Sequence, residues 1–119
     1  THLVVDRTSG VPRMILTDAP PMHGVRPAAD LLLESVAAEF KDRAVGVVLT
    51  GMGSDGAQGA LAIKRAGGDT IAQDEATSVV WGMPGAAVKV NAVGRSVPLG
   101  LVAAEIRRAV RARSTGRGA

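Results

Sequence analysis

The chain has 119 residues, with 14 basic and 11 acidic side chains and no cysteine. That length suits one domain and is marginal for two. One Trp, one Phe and no Tyr leave little from which to build the exposed ring platforms that stack bases and sugars, and the lack of cysteine removes disulfide frameworks, thiol nucleophiles and cysteine zinc sites.

Apolar residues make up 46% of the chain, nearly all of them aliphatic, which is enough for a buried core. The longest apolar runs, such as Ala44 to Leu49, are too short to span a bilayer. No signal-peptide pattern stands at the start, so no membrane insertion is expected. The net charge of +3 is unevenly placed: residues 105–119 carry +4 and the rest carry −1. A terminal basic run of this kind reads as a solvated helix face, and no nucleic-acid partner is expected.

Leu3 to Asp6 and Arg13 to Leu16 are short β-prone runs around a Ser9-Gly10 turn, which predicts a hairpin. Two prolines in Asp18-Ala19-Pro20-Pro21 then force an extended connector. Pro27 opens a helix to about Phe40, in which Leu32, Leu33, Val36, Ala37 and Phe40 recur every three or four residues. Asp30 and Glu34 suit the positive end of its dipole. Ala44 to Thr50 is a continuous, β-branched apolar run, the mark of a strand covered on both faces.

A glycine-rich turn, Gly51-Met52-Gly53-Ser54-Asp55-Gly56, leads into a helix over Ala57 to Ala66 that Gly67-Gly68 stops. Asp69 to Gln73 reads as the next strand, Gly85 to Val90 as a helix, Ser96 to Leu99 as a weak last strand, and Leu101 to Arg113 as an amphipathic helix. The apolar positions of that helix are Leu101, Val102, Ile106, Ala109 and Val110. Residues 114–119 read as a disordered basic tail. Alternation of strand and helix predicts an α/β, doubly wound, mainly parallel sheet with an N-terminal antiparallel hairpin. So few parallel strands leave a long open edge, so the domain either pairs or is part of a larger one.

Open α/β sheets carry their chemistry beyond the carboxyl ends of the strands, where the glycine turn lies. Gly51, Gly53 and Gly56 have the G-x-G-x-x-G spacing of a dinucleotide site, with Asp74 or Glu75 about twenty residues on for a ribose. Against it, Asp55 would meet the phosphates, and no basic side chain lies between Arg43 and Lys64. A second reading uses Asp55. A carboxylate that accepts backbone N–H bonds is favoured in its charged form, as an aspartate that orients a catalytic histidine must be. A third makes Asp55 simply a cap for the helix from Ala57. Spacing alone favours the cap over the catalytic reading.

The segment Val47-Val48-Leu49-Thr50-Gly51-Met52-Gly53-Ser54-Asp55-Gly56-Ala57 resembles the signature of the chemotaxis protein-glutamate methylesterases, the CheB family. So does Thr70-Ile71-Ala72-Gln73-Asp74-Glu75-Ala76-Thr77-Ser78-Val79-Val80-Trp81-Gly82-Met83-Pro84, as do Asp18-Ala19-Pro20-Pro21 and Arg26-Pro27-Ala28-Ala29-Asp30. Ala28, Val25 and Trp81 depart from the residues common in the family, at positions that are not catalytic in its pattern.

The resemblance makes residues 1–113 the C-terminal portion of a partial, Rossmann-like methylesterase domain. It implies a cytoplasmic Ser-His-Asp hydrolase that removes methyl groups from glutamates on chemoreceptor helices and in some members deamidates glutamines. It needs no cofactor or metal. Its implied partners are methylated chemoreceptor cytoplasmic helices and a receiver domain of the same full-length protein.

By the motif match Asp55 is the triad aspartate. Met52, Gly51 and Gly53 lie near the active site, with Met52 beside the histidine. The family's serine and histidine fall upstream of the matched region, so these 119 residues alone are expected to be inactive. His2 and His23 read as solvated rather than catalytic, and Ser54 as a helix-start residue. The competing functions are a non-catalytic binding module of a receptor pathway and the dinucleotide-binding domain.

Overall fold

The computed structural model describes residues 1–8, 10–22 and 28–118, with backbone alone for Thr8 and for 114–118. Ser9 and the segment 23–27, hence His23, Val25, Arg26 and Pro27, lie outside the described residues. The first two strands, β1 (His2–Thr8) and β2 (Val11–Thr17), form a separate antiparallel sheet registered from His2 against Thr17 to Thr8 against Val11. Gly10 takes the positive φ of 81° that the tight turn demands. Pro12 is tolerated because β2 is an edge strand.

The first helix, α1 (Ala29–Phe40), lies against β1. Val5 N–H donates to Ser35 Oγ at 2.8 Å, and Arg7 pairs with Glu39 at 2.9 Å. After it come β3 (Val45–Val48), α2 (Ala57–Arg65), β4 (Asp69–Gln73), α3 (Gly82–Lys89), β5 (Arg95–Val97) and α4 (Val102–Gly118).

The second sheet is parallel in the order β3-β4-β5. Strands added in one direction through right-handed crossovers put α2 and α3 on the same face, and these two helices pack together. α4 instead packs across β4 and β3, and Arg113 pairs with Asp69 at 2.9 Å. The hydrogen bond to Asp69 raises the Arg113 pKa further.

The core is built of small residues. Val48, Ala57, Ala60, Ala87 and Ala92 form one buried cluster, and Ala37, Ala44 and Ile63 another. Gly46 lets Ile63 lie directly on β3, since a Cβ there would stand 2.7 Å from Ile63 Cδ1. Among the described residues β3 pairs only with β4, so its other edge is open, as expected.

Most differences from the sequence expectation are at element ends. α3 starts at Gly82 rather than Gly85, because Pro84 falls in its first turn, where the missing N–H breaks no helical bond. β5 ends at Val97 because Pro98 cannot continue a ladder, and a 3-10 turn over Leu99–Leu101 follows. α4 continues to Gly118, past the expected end at Arg113. Its buried stripe is narrower than expected: Val102 and Ala109 are buried, whereas Leu101 and Val110 are exposed. α2 closes on Gly67 (φ 92°), with Gly67 N–H donating to Lys64 O and Gly68 N–H to Ile63 O, a Schellman stop.

Candidate functional site

The glycine turn leaves the carboxyl end of β3, and each half of it is tied to a different neighbour. The first half is bound to the segment after β4. Gly51 N–H donates to Val80 O at 2.9 Å, and Gly51 O accepts from Met83 N–H at 2.8 Å. Thr50 Oγ1 donates to Val80 O at 2.9 Å and accepts from Val80 N–H at 3.0 Å. Thr50 N–H donates to Oε1 of the buried Gln73 at 2.9 Å, and the Gln73 amide donates to Thr77 O at 2.8 Å. The indole of Trp81 closes the set by donating to Gln73 O at 3.0 Å. Glycine at 82 permits this approach, since a Cβ there would lie 2.8 Å from Gly51 O.

The second half is tied to α1, through an exchange between two aspartates. Ala28 and Gly56 stand at the N-caps of α1 and α2, and neither supplies a side-chain cap. Instead Asp55, in the turn before α2, caps α1: its carboxylate accepts from Ala29 N–H at 2.6 Å and from Asp30 N–H at 2.9 Å. Asp30, in the first turn of α1, caps α2: its Oδ1 accepts from Gly56 N–H at 2.9 Å and Gly59 N–H at 2.7 Å. Each helix thus has its orphan amides satisfied by the other's acid. Asp30 is fully buried and Asp55 half-buried. α1 and α2 can come this close because position 59 is glycine: a Cβ there would stand 2.5 Å from Leu33 Cβ.

Asp55 therefore does not cap its own helix. The expected cap exists, but on the partner helix, which spacing along the chain could not reveal. Asp30, read from sequence as a dipole partner of α1, serves α2 instead. Met52, between Gly51 and Gly53, points out at 81% exposure, so it is not core filling. Gly53 is needed for its φ of 92°, not for space, since nothing lies within 4 Å of a Cβ built there. Ser54 is exposed, and its carbonyl accepts from Ala57 N–H at 3.3 Å, a helix-start position.

Two expectations are corrected. The dinucleotide reading needs free amides at the start of α2, but Gly56 and Gly59 give theirs to Asp30, and the acids Asp30 and Asp55 stand where a pyrophosphate would sit. Asp74, the candidate ribose partner, instead accepts from Thr77 N–H and Oγ1 in a local turn. His2 is not solvated. It is fully buried, its Nε2 donating to Pro20 O at 2.9 Å while Nδ1 accepts from Ala28 N–H at 3.2 Å. Both ring nitrogens are occupied in holding the connector against the start of α1. Among the described residues no group of three His, Asp or Glu side chains could hold a metal ion. No described helix is long and apolar enough to cross a membrane.

A parallel α/β layer with a backbone-anchored carboxylate at the carboxyl ends of its strands belongs to the class of open-sheet domains that carry chemistry there. The family model for the CheB methylesterase matches residues 1–106, and the chain belongs to that family. It is 50% identical over 109 residues to a protein-glutamate methylesterase/protein-glutamine glutaminase of Pyrococcus abyssi, covering 92% of this chain and 30% of that protein. A relative of the same description from Hahella chejuensis is 50% identical over 107 residues, 90% of this chain and 30% of that protein. The chain thus spans about a third of the length of these curated relatives. The crystal structure of the Thermotoga maritima CheB methylesterase catalytic domain superposes with a TM-score of 0.78 at 36% identity, covering 82% of this chain and 51% of that one.

Proposed function

We propose that this chain supplies the aspartate-bearing part of a protein-glutamate methylesterase, with Asp55 as the acid of a Ser-His-Asp triad. The observation that carries the reading is the anchoring of the Asp55 carboxylate by two amides of α1, at 2.6 and 2.9 Å, in the turn after β3. An aspartate in a triad holds the imidazole in the right tautomer and stabilises the imidazolium formed as the serine attacks. The serine oxygen adds to the glutamyl ester carbonyl, methanol leaves with the proton from the imidazolium, and water then hydrolyses the acyl-enzyme to glutamate. Asp55 keeps its charge throughout and moves no proton itself.

The serine and histidine come from outside these 119 residues. The substrates are methylated glutamates on the cytoplasmic helices of chemoreceptors, and glutamine deamidation follows from the same acyl chemistry with ammonia as leaving group. The enzyme works in the cytoplasm, with a receiver domain of the same protein as partner.

The test is methanol release from methylated receptor by the full-length protein and by its Asp55→Asn variant. The amide cannot stabilise an imidazolium, and turnover should fall by on the order of 10⁴-fold. Because both Asp55 oxygens already bond α1, a second reading makes Asp55 a helix cap in a non-catalytic binding module. Equal rates from the two proteins would reduce Asp55 to a helix cap, no release by either would establish the binding module, and methanol release by the 119-residue chain alone would mean that the nucleophile lies within these residues.

A further inference from the structure

We infer that Asp30 is a positioning residue for the esterase reaction, acting through Asp55. The inference rests on the assignment of Asp55 to the triad. Asp30 is fully buried, an expensive place for a carboxylate unless its hydrogen bonds are met. Its Oδ1 holds Gly56 N–H at 2.9 Å and Gly59 N–H at 2.7 Å, so it grips the residue directly after Asp55 and the first turn of the helix behind it. The backbone N–H of the same Asp30 donates to Asp55 Oδ1 at 2.9 Å, so one residue fixes both the base of the turn and the carboxylate at its tip.

Gly56 makes such a grip necessary. It takes a φ of 101°, and Gly53 one of 92°, so the stretch that carries Asp55 is flanked by two glycines with little conformational preference of their own. Residue 56 has no side chain to anchor it. Its amide bond to Asp30 does so from outside the turn.

The kinetic consequence is specific. Asp30 lies one residue contact away from the reacting groups, so its loss should leave substrate binding alone and misplace Asp55. Displacements of about 1 Å in such constellations cost on the order of 10²-fold in rate. The loss should appear in kcat and not in KM, because orientation of the imidazole matters only as charge develops on it.

The experiment measures methanol release by the full-length methylesterase carrying this sequence, with rates normalised to the folded fraction from its circular-dichroism melt. Three variants are compared: Asp30→Ala, Asp55→Asn and the double variant Asp30→Ala/Asp55→Asn. Asp30→Ser replaces the alanine variant if the latter does not fold. The expected result is a kcat at least tenfold lower for Asp30→Ala, with KM changed less than about twofold. The double variant should be no slower than Asp55→Asn alone, since a misplaced group that no longer works cannot be misplaced further. A parental kcat per folded Asp30→Ala molecule would overturn the inference. So would additive losses in the double variant. A parental rate for Asp55→Asn is a different outcome and strikes the triad assignment itself.

Discussion

Gly59→Ala should destabilise the domain although it lies inside a helix, where that change ordinarily helps. In an open helix interior alanine is favoured over glycine by about 1 kcal/mol. Here the new methyl would stand 2.5 Å from Leu33 Cβ and 3.1 Å from both Asp30 Cα and Asp30 O. None of these atoms is the end of a flexible side chain, so α1 itself must move away from α2. Overpacking of this kind costs about 1–3 kcal/mol. The same movement stretches the bonds from Gly56 and Gly59 to the Asp30 carboxylate, now 2.9 and 2.7 Å. Losing one bond to a charged acceptor costs about 1.5–3 kcal/mol. Set against the propensity gain, the net loss is about 3 kcal/mol. The assay is urea denaturation of the methylesterase domain, read as a lower midpoint at unchanged slope. Gln58→Ala is the control: its neighbouring side chain is exposed, and the change should stay within about 0.5 kcal/mol of the parent. A rise in stability for Gly59→Ala would refute the close α1–α2 contact and the exchange of caps with it.

Met52→Ala should leave stability within about 0.5 kcal/mol, given its 81% exposure, while lowering turnover several-fold because it stands in the turn that carries Asp55; a large drop in melting temperature at unchanged kinetics would show that Met52 is a packing residue. Thr50→Val should weaken the tie between the turn and Val80 by about 1 kcal/mol, since two bonds to Val80 go with the hydroxyl. The Val80 amide should then exchange its hydrogen several-fold faster, and unchanged protection at Val80 would show that the backbone contact from Gly51 suffices.

The order of elements was legible because periodicity and punctuation agree through most of the chain. The run Ala44 to Thr50 reads as a strand covered on both faces, and β3 takes Val45–Val48 of it with Val45 and Val47 only half-buried, while the glycine pair at 67–68 reads as a stop and gives a Schellman end. What failed was local in a different sense. Leu101 and Val110 look like members of the α4 stripe, yet Leu101 falls in the 3-10 turn before α4, and the face of α4 toward β4 is set by the helix's rotation, which no single-helix pattern fixes. His2 looked solvated because a connector 18 residues on cannot be seen to fold back onto it; the ring is buried by Pro20 O and Ala28 N–H.

The candidate site was half legible for the same reason. Asp55 stood out by its place in the turn. Its partner did not, because each aspartate bonds atoms about 25 residues away. A faint signal existed: α1 opens on Ala28 and α2 on Gly56, neither with a capping side chain. Each helix start also carries an acid one or two residues from its cap position. Two uncapped helices with two nearby acids are what a cross-cap needs, although only the fold says that they meet.

That exchange makes cap and catalyst compatible roles at Asp55, which the sequence offered as alternatives. An ionised carboxylate offers about four lone-pair directions, two on each oxygen. Ala29 takes one on Oδ2 and Asp30 one on Oδ1, so the two amides fix the plane of the group while using half its capacity. An aspartate that capped its own helix would have to turn back toward the amides behind it. By capping the neighbouring helix instead, Asp55 is held from the α1 side, remains half-buried and keeps acceptor directions for an imidazole N–H. A cap on another element is thus a means of aiming a carboxylate, since the helix it satisfies is rigid and the turn that bears it is not. The two roles also make different demands on the residue. Asparagine keeps one accepting oxygen but turns an NH2 toward the other α1 amide, so the cap loses about 1–3 kcal/mol, whereas a group that must stabilise an imidazolium loses nearly all its function. Asp55→Asn should therefore lower the stability of the domain by about 1–3 kcal/mol while methanol release per folded molecule falls by on the order of 10⁴-fold, and a parental rate per folded molecule beside that stability loss would show that the carboxylate matters to the helix alone.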